Sequence, residues 1–211
     1  MHHRNRITRS VARLLRPTHA LALVFLVLCS TDAAAQVLPG YPLTVEDGAI
    51  RDGAPSHHAA AAGVDTDERY VVVSLTEHRL YLMEGDREIW SAVVGTGTGT
   101  RLEGAGETRD FSTPRGMFRI LHKEKDPVWY VPDWAFVQRG VPLPPDDSPL
   151  RREAGVLGTT ALYMKELIAI HGTEHPELLG QDVSAGCIRM TNEDVRRLYH
   201  DLEVGTPVLI Y

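Results

Sequence analysis

Cysteine is nearly absent from this chain: Cys29 and Cys187 are the only two in 211 residues. So few thiols exclude a disulfide-stapled miniprotein, and stability has to come from an apolar core. An excess of basic charge is missing too. Lys and Arg number 22 against 28 Asp and Glu, a formal net charge of −6, which argues against a nucleic-acid partner. Long apolar runs are also lacking. Leu21 to Cys29 falls short of the roughly 18–20 residues that a membrane-spanning helix needs. No internal repeat is visible. The Gly/Thr stretch from Gly95 to Gly106 lacks the Lys-Ser/Thr ending of a phosphate-binding loop.

What is present is an ordinary globular composition, 43% hydrophobic and 24% charged, and enough length for one sizeable core. Arg4, Arg6, Arg9, Arg13 and Arg16 precede the apolar run with no acid among them, and Ala33-Ala34-Ala35 follows it. That order reads as a secretory signal peptide over residues 1–35, cleaved after Ala35 with no stable membrane insertion afterwards, the alternative being an uncleaved N-terminal anchor. The expected location is therefore outside the inner membrane, in the periplasm or cell envelope. Cleavage removes five arginines and Asp32, taking the net charge from −6 to −10. An anionic polymer must then be held by a local cleft and not by overall charge. Cys187 becomes the one remaining thiol in an exported protein, where cysteines usually pair.

Residues 36–67 are rich in Ala, Gly, Pro and Asp and read as a flexible linker, with His57-His58 a solvated pair. From residue 68 onward short β-rich runs appear: Tyr70 to Leu75, Arg79 to Met83 and Glu88 to Val94. Their spacing suggests an antiparallel meander. Gly95 to Gly106 is expected to be a loop, and Met117 to His122 a strand after the turn Thr113-Pro114-Arg115-Gly116. Lys123 to Gly158, proline-rich and carrying Trp129, Tyr130 and Trp134, reads as a long irregular loop that could wall a cleft. Strand character returns at Ala161 to Met164 and at Glu166 to His171. The one clear helix follows Thr191, a cap, with Val195, Leu198, Tyr199 and Leu202 on its apolar face and Gly205 as its stop. Thr206 to Tyr211 closes the chain as a strand, so the fold class is mainly β, sandwich-like, with a C-terminal helix.

The chemistry concentrates in His171-Gly172 and Ser184-Ala185-Gly186-Cys187-Ile188-Arg189. A thiol attacks as thiolate and needs a base or positive surroundings to lower its pKa from about 8.5. His171 can take that proton. The N–H groups of Gly186 and Cys187 are candidates for an oxyanion site, and Arg189 for bidentate carboxylate binding. A competing zinc site on His171 and His175 is disfavoured by Gly172 and Pro176 and by the want of a third ligand.

At this separation the two elements resemble those of the L,D-transpeptidases with the YkuD-type catalytic domain. Thr113-Pro114-Arg115-Gly116, Leu157-Gly158, Leu179-Gly180 and Gly205-Thr206-Pro207-Val208 extend the resemblance over residues 68–211. One departure is Ala185, where many members carry a second histidine. The resemblance implies Cys187 as nucleophile, His171 as base with the Gly172 carbonyl orienting its ring, and Ser184 shaping the loop or contacting substrate. It also implies peptidoglycan stem peptides as substrate, release of D-alanine, 3→3 cross-links, carbapenem-type β-lactams as inhibitors, and no metal or organic cofactor. A hydrolase or L,D-carboxypeptidase, or an enzyme attaching a lipoprotein to the wall, would share the same residues.

Overall fold

In a computed structural model, residues 55–65, 68–104, 107–165 and 167–211 are described. The expected signal peptide and most of the expected linker lie outside them. The elements run α1 (Pro55–Ala61), β1 (Arg69–Ser74), β2 (Arg79–Glu84), β3 (Arg87–Val93), β4 (Thr96–Gly97), β5 (Arg101–Gly104), β6 (Glu107–Asp110), β7 (Gly116–Arg119), β8 (His122–Lys125) and β9 (Val128–Tyr130). Then come α2 (Asp133–Arg139), β10 (Arg152–Ala154), β11 (Thr160–Lys165), β12 (Ile168–Gly172), β13 (Asp182–Ser184), β14 (Ile188–Met190), α3 (Asn192–Asp201) and β15 (Pro207–Ile210).

Two sheets enclose the main core. One is ordered β3-β2-β1-β15-β7 and the other β14-β12-β11-β8. The meander expected for the first three strands is present, with β2 antiparallel to both β1 and β3. Val71, Val73, Leu80 and Leu82 of the first sheet meet Leu162, Ile170, Ile188 and Met190 of the second, and α3 adds Val195, Leu198 and Leu202. This is the alternation a half-buried strand imposes, one face inward and one outward. At the start of α3 the Thr191 hydroxyl accepts from the Asp194 N–H at 3.0 Å and donates to the Asp194 carboxylate at 2.7 Å. Asp194 thus closes the helix end from both sides. The helix stops at Asp201 with Leu202 as its cap, and Gly205, four residues after Asp201, has a φ of +97° that makes the turn into β15.

Several expectations need correction. The last third of the expected linker is not structureless: Pro55–Ala61 forms α1, and Ala59 and Val64 pack with Tyr70, Val72, Met83 and Leu209 on the outer face of the first sheet. β1 is apolar on both faces, so its outer face needs a cover, and the alanine-rich segment supplies one. His58 is accordingly not solvated, since it is buried with its ring 4.1 Å from that of Tyr211. The Gly/Thr stretch is not simply a loop, because β4 pairs with β13 and β5 with β6 as a hairpin. The expected strand Met117 to His122 is two strands, β7 in the first sheet and β8 in the second, joined where buried Ile120 enters the core.

The long proline-rich segment also has more order than its lack of periodicity suggested. It contains α2 and the antiparallel pair β9–β10. Its organiser is Arg151, which is only 6% exposed. Its guanidinium donates to the carbonyls of Val131, Pro144 and Pro145 at 3.3, 2.8 and 3.1 Å and pairs with Asp133 at 2.7 Å. Proline-rich backbone is short of N–H donors, so a buried five-donor side chain satisfies its carbonyls instead. Arg151→Ala is expected to lower the unfolding free energy by about 3 kcal/mol, because the buried acceptors lose their cation. Urea denaturation followed by tryptophan fluorescence checks this, and an unchanged midpoint would count against it.

Candidate active site

The site follows from one strand pairing. β12 and β14 are parallel, with Ile170 opposite Ile188 and His171 opposite Arg189. Because neighbouring strand residues face opposite ways, and Ile170, Ile188 and Met190 enter the core, the residues between and beside them share the other face. Those residues are Ala169, His171, Cys187 and Arg189. All four line a cavity of about 460 Å³. β11 adds Tyr163, opposite Ala169. Trp129, Tyr130 and Trp134 of the long segment form part of the facing wall.

His171 is 3% exposed, and its Nδ1 lies 2.7 Å from the Gly172 carbonyl oxygen. A carbonyl can only accept, so in the neutral ring Nδ1 carries the proton and Nε2 keeps its lone pair. Burial pushes the imidazole pKa down to about 4, the Arg189 charge adds to that, and the carbonyls of Gly172 and Leu157 oppose it. Cys187 is half-buried and free of any disulfide. Its Sγ is 3.5 Å from the Leu167 carbonyl oxygen. Burial pushes the thiol up, while an Ala169 backbone hydrogen bond and the charges of Arg189 and Arg109 pull the other way. At neutral pH the resting pair is therefore a thiol and a neutral imidazole.

The turn before Cys187 is held by Ser184. The Ser184 hydroxyl donates to the Cys187 carbonyl oxygen at 2.6 Å and accepts from the Gly186 N–H at 3.0 Å. Both bonds lie within the turn, so Ser184 holds the loop that carries Cys187, and the Gly186 N–H is directed at that hydroxyl. Gly186 has a φ of +115°, and a Cβ there would lie 3.2 Å from the Ser112 carbonyl oxygen. Gly172 contributes through its carbonyl.

Residues not singled out from the sequence complete the surroundings. Asn192, the first residue of α3, accepts from the Thr159 N–H at 2.9 Å and donates to the Thr173 carbonyl at 3.3 Å. A Cβ on Gly172 or Gly158 would collide with its Oδ1. Asn192 thereby ties the end of β12 to the turn before β11, the two segments whose carbonyls face His171. Its place directly after a capping threonine was the only signal in the sequence. Arg109 on β6 stacks over Trp134 at 4.9 Å and Phe111 at 5.8 Å. His175 is exposed and pairs with Glu177 at 3.1 Å, so it does not join His171.

The depressed imidazole pKa has a consequence for stability. The unfolded chain binds a proton near the ordinary 6.5 and the folded chain only near about 4, so stability is full above 6.5 and falls as pH drops toward about 4. The group is buried, and the loss expected from it is about 3 kcal/mol. Urea unfolding at pH 7 and pH 4.5 should show a smaller pH dependence for His171→Gln than for the wild type. Equal dependence in the two proteins would contradict the burial of a neutral ring.

The β-sandwich cleft thus brings a thiol, an imidazole and a guanidinium onto one face. Similarity to known proteins gives the domain a family. The family model for YkuD, the L,D-transpeptidase catalytic domain, matches residues 68–210, and the chain belongs to that family. It is 31% identical over 157 residues to ErfK/SrfK of Salmonella typhimurium, described as a probable L,D-transpeptidase, covering 69% of this chain and 45% of that one. YbiS of Escherichia coli, described likewise, is 30% identical over 153 residues, covering 68% of this chain and 45% of that one. The chain thus spans about half the length of these curated relatives. Among solved structures, the L,D-transpeptidase of Xylanimonas cellulosilytica (residues 123–326) superposes with a TM-score of 0.52 at 22% identity, covering 75% of this chain and 70% of that one. The avibactam carbamoyl enzyme of Ldtfm gives 0.51 at 20% identity, covering 68% and 49%. These structures share the fold.

Proposed function

We propose that this chain is an exported peptidoglycan L,D-transpeptidase that works through a Cys187 thioester. The observation that carries the reading is the shared face of Cys187, His171 and Arg189 in a deep cleft of a YkuD-family domain. Nε2 of His171 takes the thiol proton as Sγ attacks the carbonyl of the third residue of a stem tetrapeptide. The developing oxyanion lies beside the Cys187 N–H. The C–N bond to the fourth residue breaks, His171 returns the proton to the leaving nitrogen, and D-alanine departs. An amine from the third residue of a neighbouring stem then attacks the thioester, loses its proton to His171 and expels the thiolate, giving a 3→3 cross-link. Thiolate, base and donor supply each step, and the work is done in the periplasm or envelope, on the wall the protein helps to shape. An accessible thiol that forms a thioester with a peptide carbonyl is also expected to be acylated by carbapenem-type β-lactams.

A second reading keeps the acyl-enzyme and changes the acceptor: water gives an L,D-carboxypeptidase or hydrolase, and a protein lysine gives lipoprotein attachment. The half-buried sulfur beside an open cleft favours neither acceptor by itself. Mass analysis of the products from purified muropeptides distinguishes a cross-linked dimer from a trimmed tripeptide.

Cys187→Ala is expected to abolish D-alanine release from purified tetrapeptide while the circular dichroism spectrum and melting temperature stay native. Turnover surviving in that variant would sink the proposal.

The base assignment makes a pH prediction. The imidazole is held near about 4, so wild-type acylation should lose rate only as pH falls toward that value, where His171 becomes protonated. His171→Gln should cost about 10²–10⁴-fold at neutral pH, with rate recovering toward alkaline pH as the thiol ionises unaided. A variant profile parallel to the wild type would remove His171 as the base.

A further inference from the structure

The sheet face that carries the thiol is electrically divided across its strands. The order is β14-β12-β11-β8, and on the cleft side Arg189 stands at the β14 end with Cys187 and His171 beside it. The β8 end has the opposite sign. Directly opposed strand residues share a face. His122 is opposite Tyr163, which is opposite Ala169, and Glu124 is opposite Ala161, which is opposite His171. β8 therefore presents His122 and Glu124 on the catalytic side. Its two lysines turn the other way: Lys123 donates to the carbonyls of Tyr199 and Leu202 at 2.9 and 2.6 Å, and Lys123 and Lys125 both lie over the Tyr199 ring.

Tyr163 joins this anionic end to the site. It lines the catalytic cavity, while its hydroxyl donates to the Glu124 carboxylate at 3.0 Å and its ring stacks on that of His122 at 4.2 Å, 10° from parallel. Burial holds the phenol above its ordinary range, and Glu124 and the charge of Cys187 add to that. With its proton committed to Glu124, the phenol oxygen can only accept from a further group. Whatever docks there must bring a donor, and the carboxylate behind the oxygen favours one that is positively charged. No step up to the release of D-alanine uses this pair.

We propose that Tyr163 and Glu124, with His122 holding the ring, form the docking subsite for the acceptor of the second half-reaction, and that this subsite takes a primary ammonium in preference to water. The inference rests on the acyl-enzyme reading above and adds to it the residues that choose the acceptor. The acceptor arrives as an ammonium, donates to the Tyr163 oxygen beside Glu124, and loses one proton to solvent. The amine nitrogen then bonds to the thioester carbon, the C–S bond breaks, and a second proton passes from nitrogen to His171. Water carries no charge for Glu124 to attract, so hydrolysis gains little from the subsite. The acceptor thereby reaches the sulfur from the β8 end, away from Arg189, whose charge repels it.

The test incubates the full chain with a stem tetrapeptide and rising concentrations of Nα-acetyl-lysine amide as the amine probe, and weighs the two products of the one thioester, the probe-linked tripeptide and the free tripeptide. Their ratio reads the acceptor step alone, whatever the rate of acylation. In the wild type the ratio should rise with probe concentration. Tyr163→Phe should lower the slope about tenfold, the value of one hydrogen bond to a charged group. Glu124→Gln, which keeps an oxygen for the Tyr163 hydroxyl and loses the charge, should lower it about threefold. Added salt should lower the wild-type slope and leave that of Glu124→Gln nearly unchanged. A wild-type slope retained in either variant, including one whose total product falls, overturns the subsite and leaves the acyl-enzyme reading standing. So does free tripeptide as the sole wild-type product at every probe concentration. Absence of both products from the wild type overturns the acyl-enzyme reading and the subsite with it. Glu124 is exposed on a strand at the end of its sheet, so its variant tests the inference even if Tyr163→Phe fails to fold.

Discussion

The parallel pairing of β12 with β14 is the constraint on which the rest of the site depends. Its register matches Ile170 with Ile188, and both are fully buried. A slip of one residue would turn those side chains out of the core and turn His171 and Arg189 into it. Placing a guanidinium in an apolar core costs several kcal/mol unless it is paired. The hydrophobic effect therefore enforces the alignment of imidazole, thiol and guanidinium, although none of the three contributes to it. Such an arrangement fixes a polar constellation with the stability of the core, not with interactions among the polar groups themselves.

Around that pairing the chain adds clamps that act on backbone. Ser184 folds the turn before Cys187 by bonding Gly186 and Cys187, Asn192 ties Thr159 to Thr173, and Gly172 holds the His171 ring through its own carbonyl. Gly158 and Gly172 leave room for the Asn192 side chain, which a Cβ at either position would fill. The glycines of this region serve a close approach of three segments. Arg151 performs a comparable task at larger scale for the proline-rich wall, where carbonyls outnumber the strand partners that could receive them.

The strands and the site were legible in the sequence to different depths and for identifiable reasons. β1, β2, β3, β11, β12 and β15 announced themselves because each carries a run of β-formers bounded by turn residues. His171 and Cys187 stood out because a base at the end of an apolar strand and a thiol just beyond a small-residue turn make a suitable pair, and Cys187 is the one thiol beyond the expected signal peptide. The hairpin β5–β6 did not, since Gly, Thr and charged residues dominate it and it pairs only with itself. α1 was hidden because its alanines carry no amphipathic period, and only the apolar outer face of β1 calls for a cover. The bond from the Gly186 N–H to Ser184 was hidden for a different reason: the sequence shows a serine two residues earlier but not that its hydroxyl would bend back to receive that donor. Side-chain-to-backbone bonds of this kind depend on turn geometry, which local composition does not encode.

The charge pattern links the two halves of the chemistry. With the cleft empty, Arg189 and Arg109 favour the thiolate, Arg189 disfavours the imidazolium, and burial disfavours both charged forms. Burial is the largest influence on each group, so the resting pair stays neutral with the proton on sulfur. On the proposed thioester mechanism, a substrate carboxylate docking on Arg189 would neutralise part of the field that favours the thiolate, while the substrate itself would expel water and deepen the burial. Proton transfer in the complex must then proceed together with attack, because a free thiolate is less supported there than in the open cleft. On this account the Gly172 carbonyl matters more with substrate bound than without it. It becomes the fixed acceptor that stabilises the imidazolium at the moment Sγ bonds to carbon, which is where a preorganised dipole lowers a barrier most.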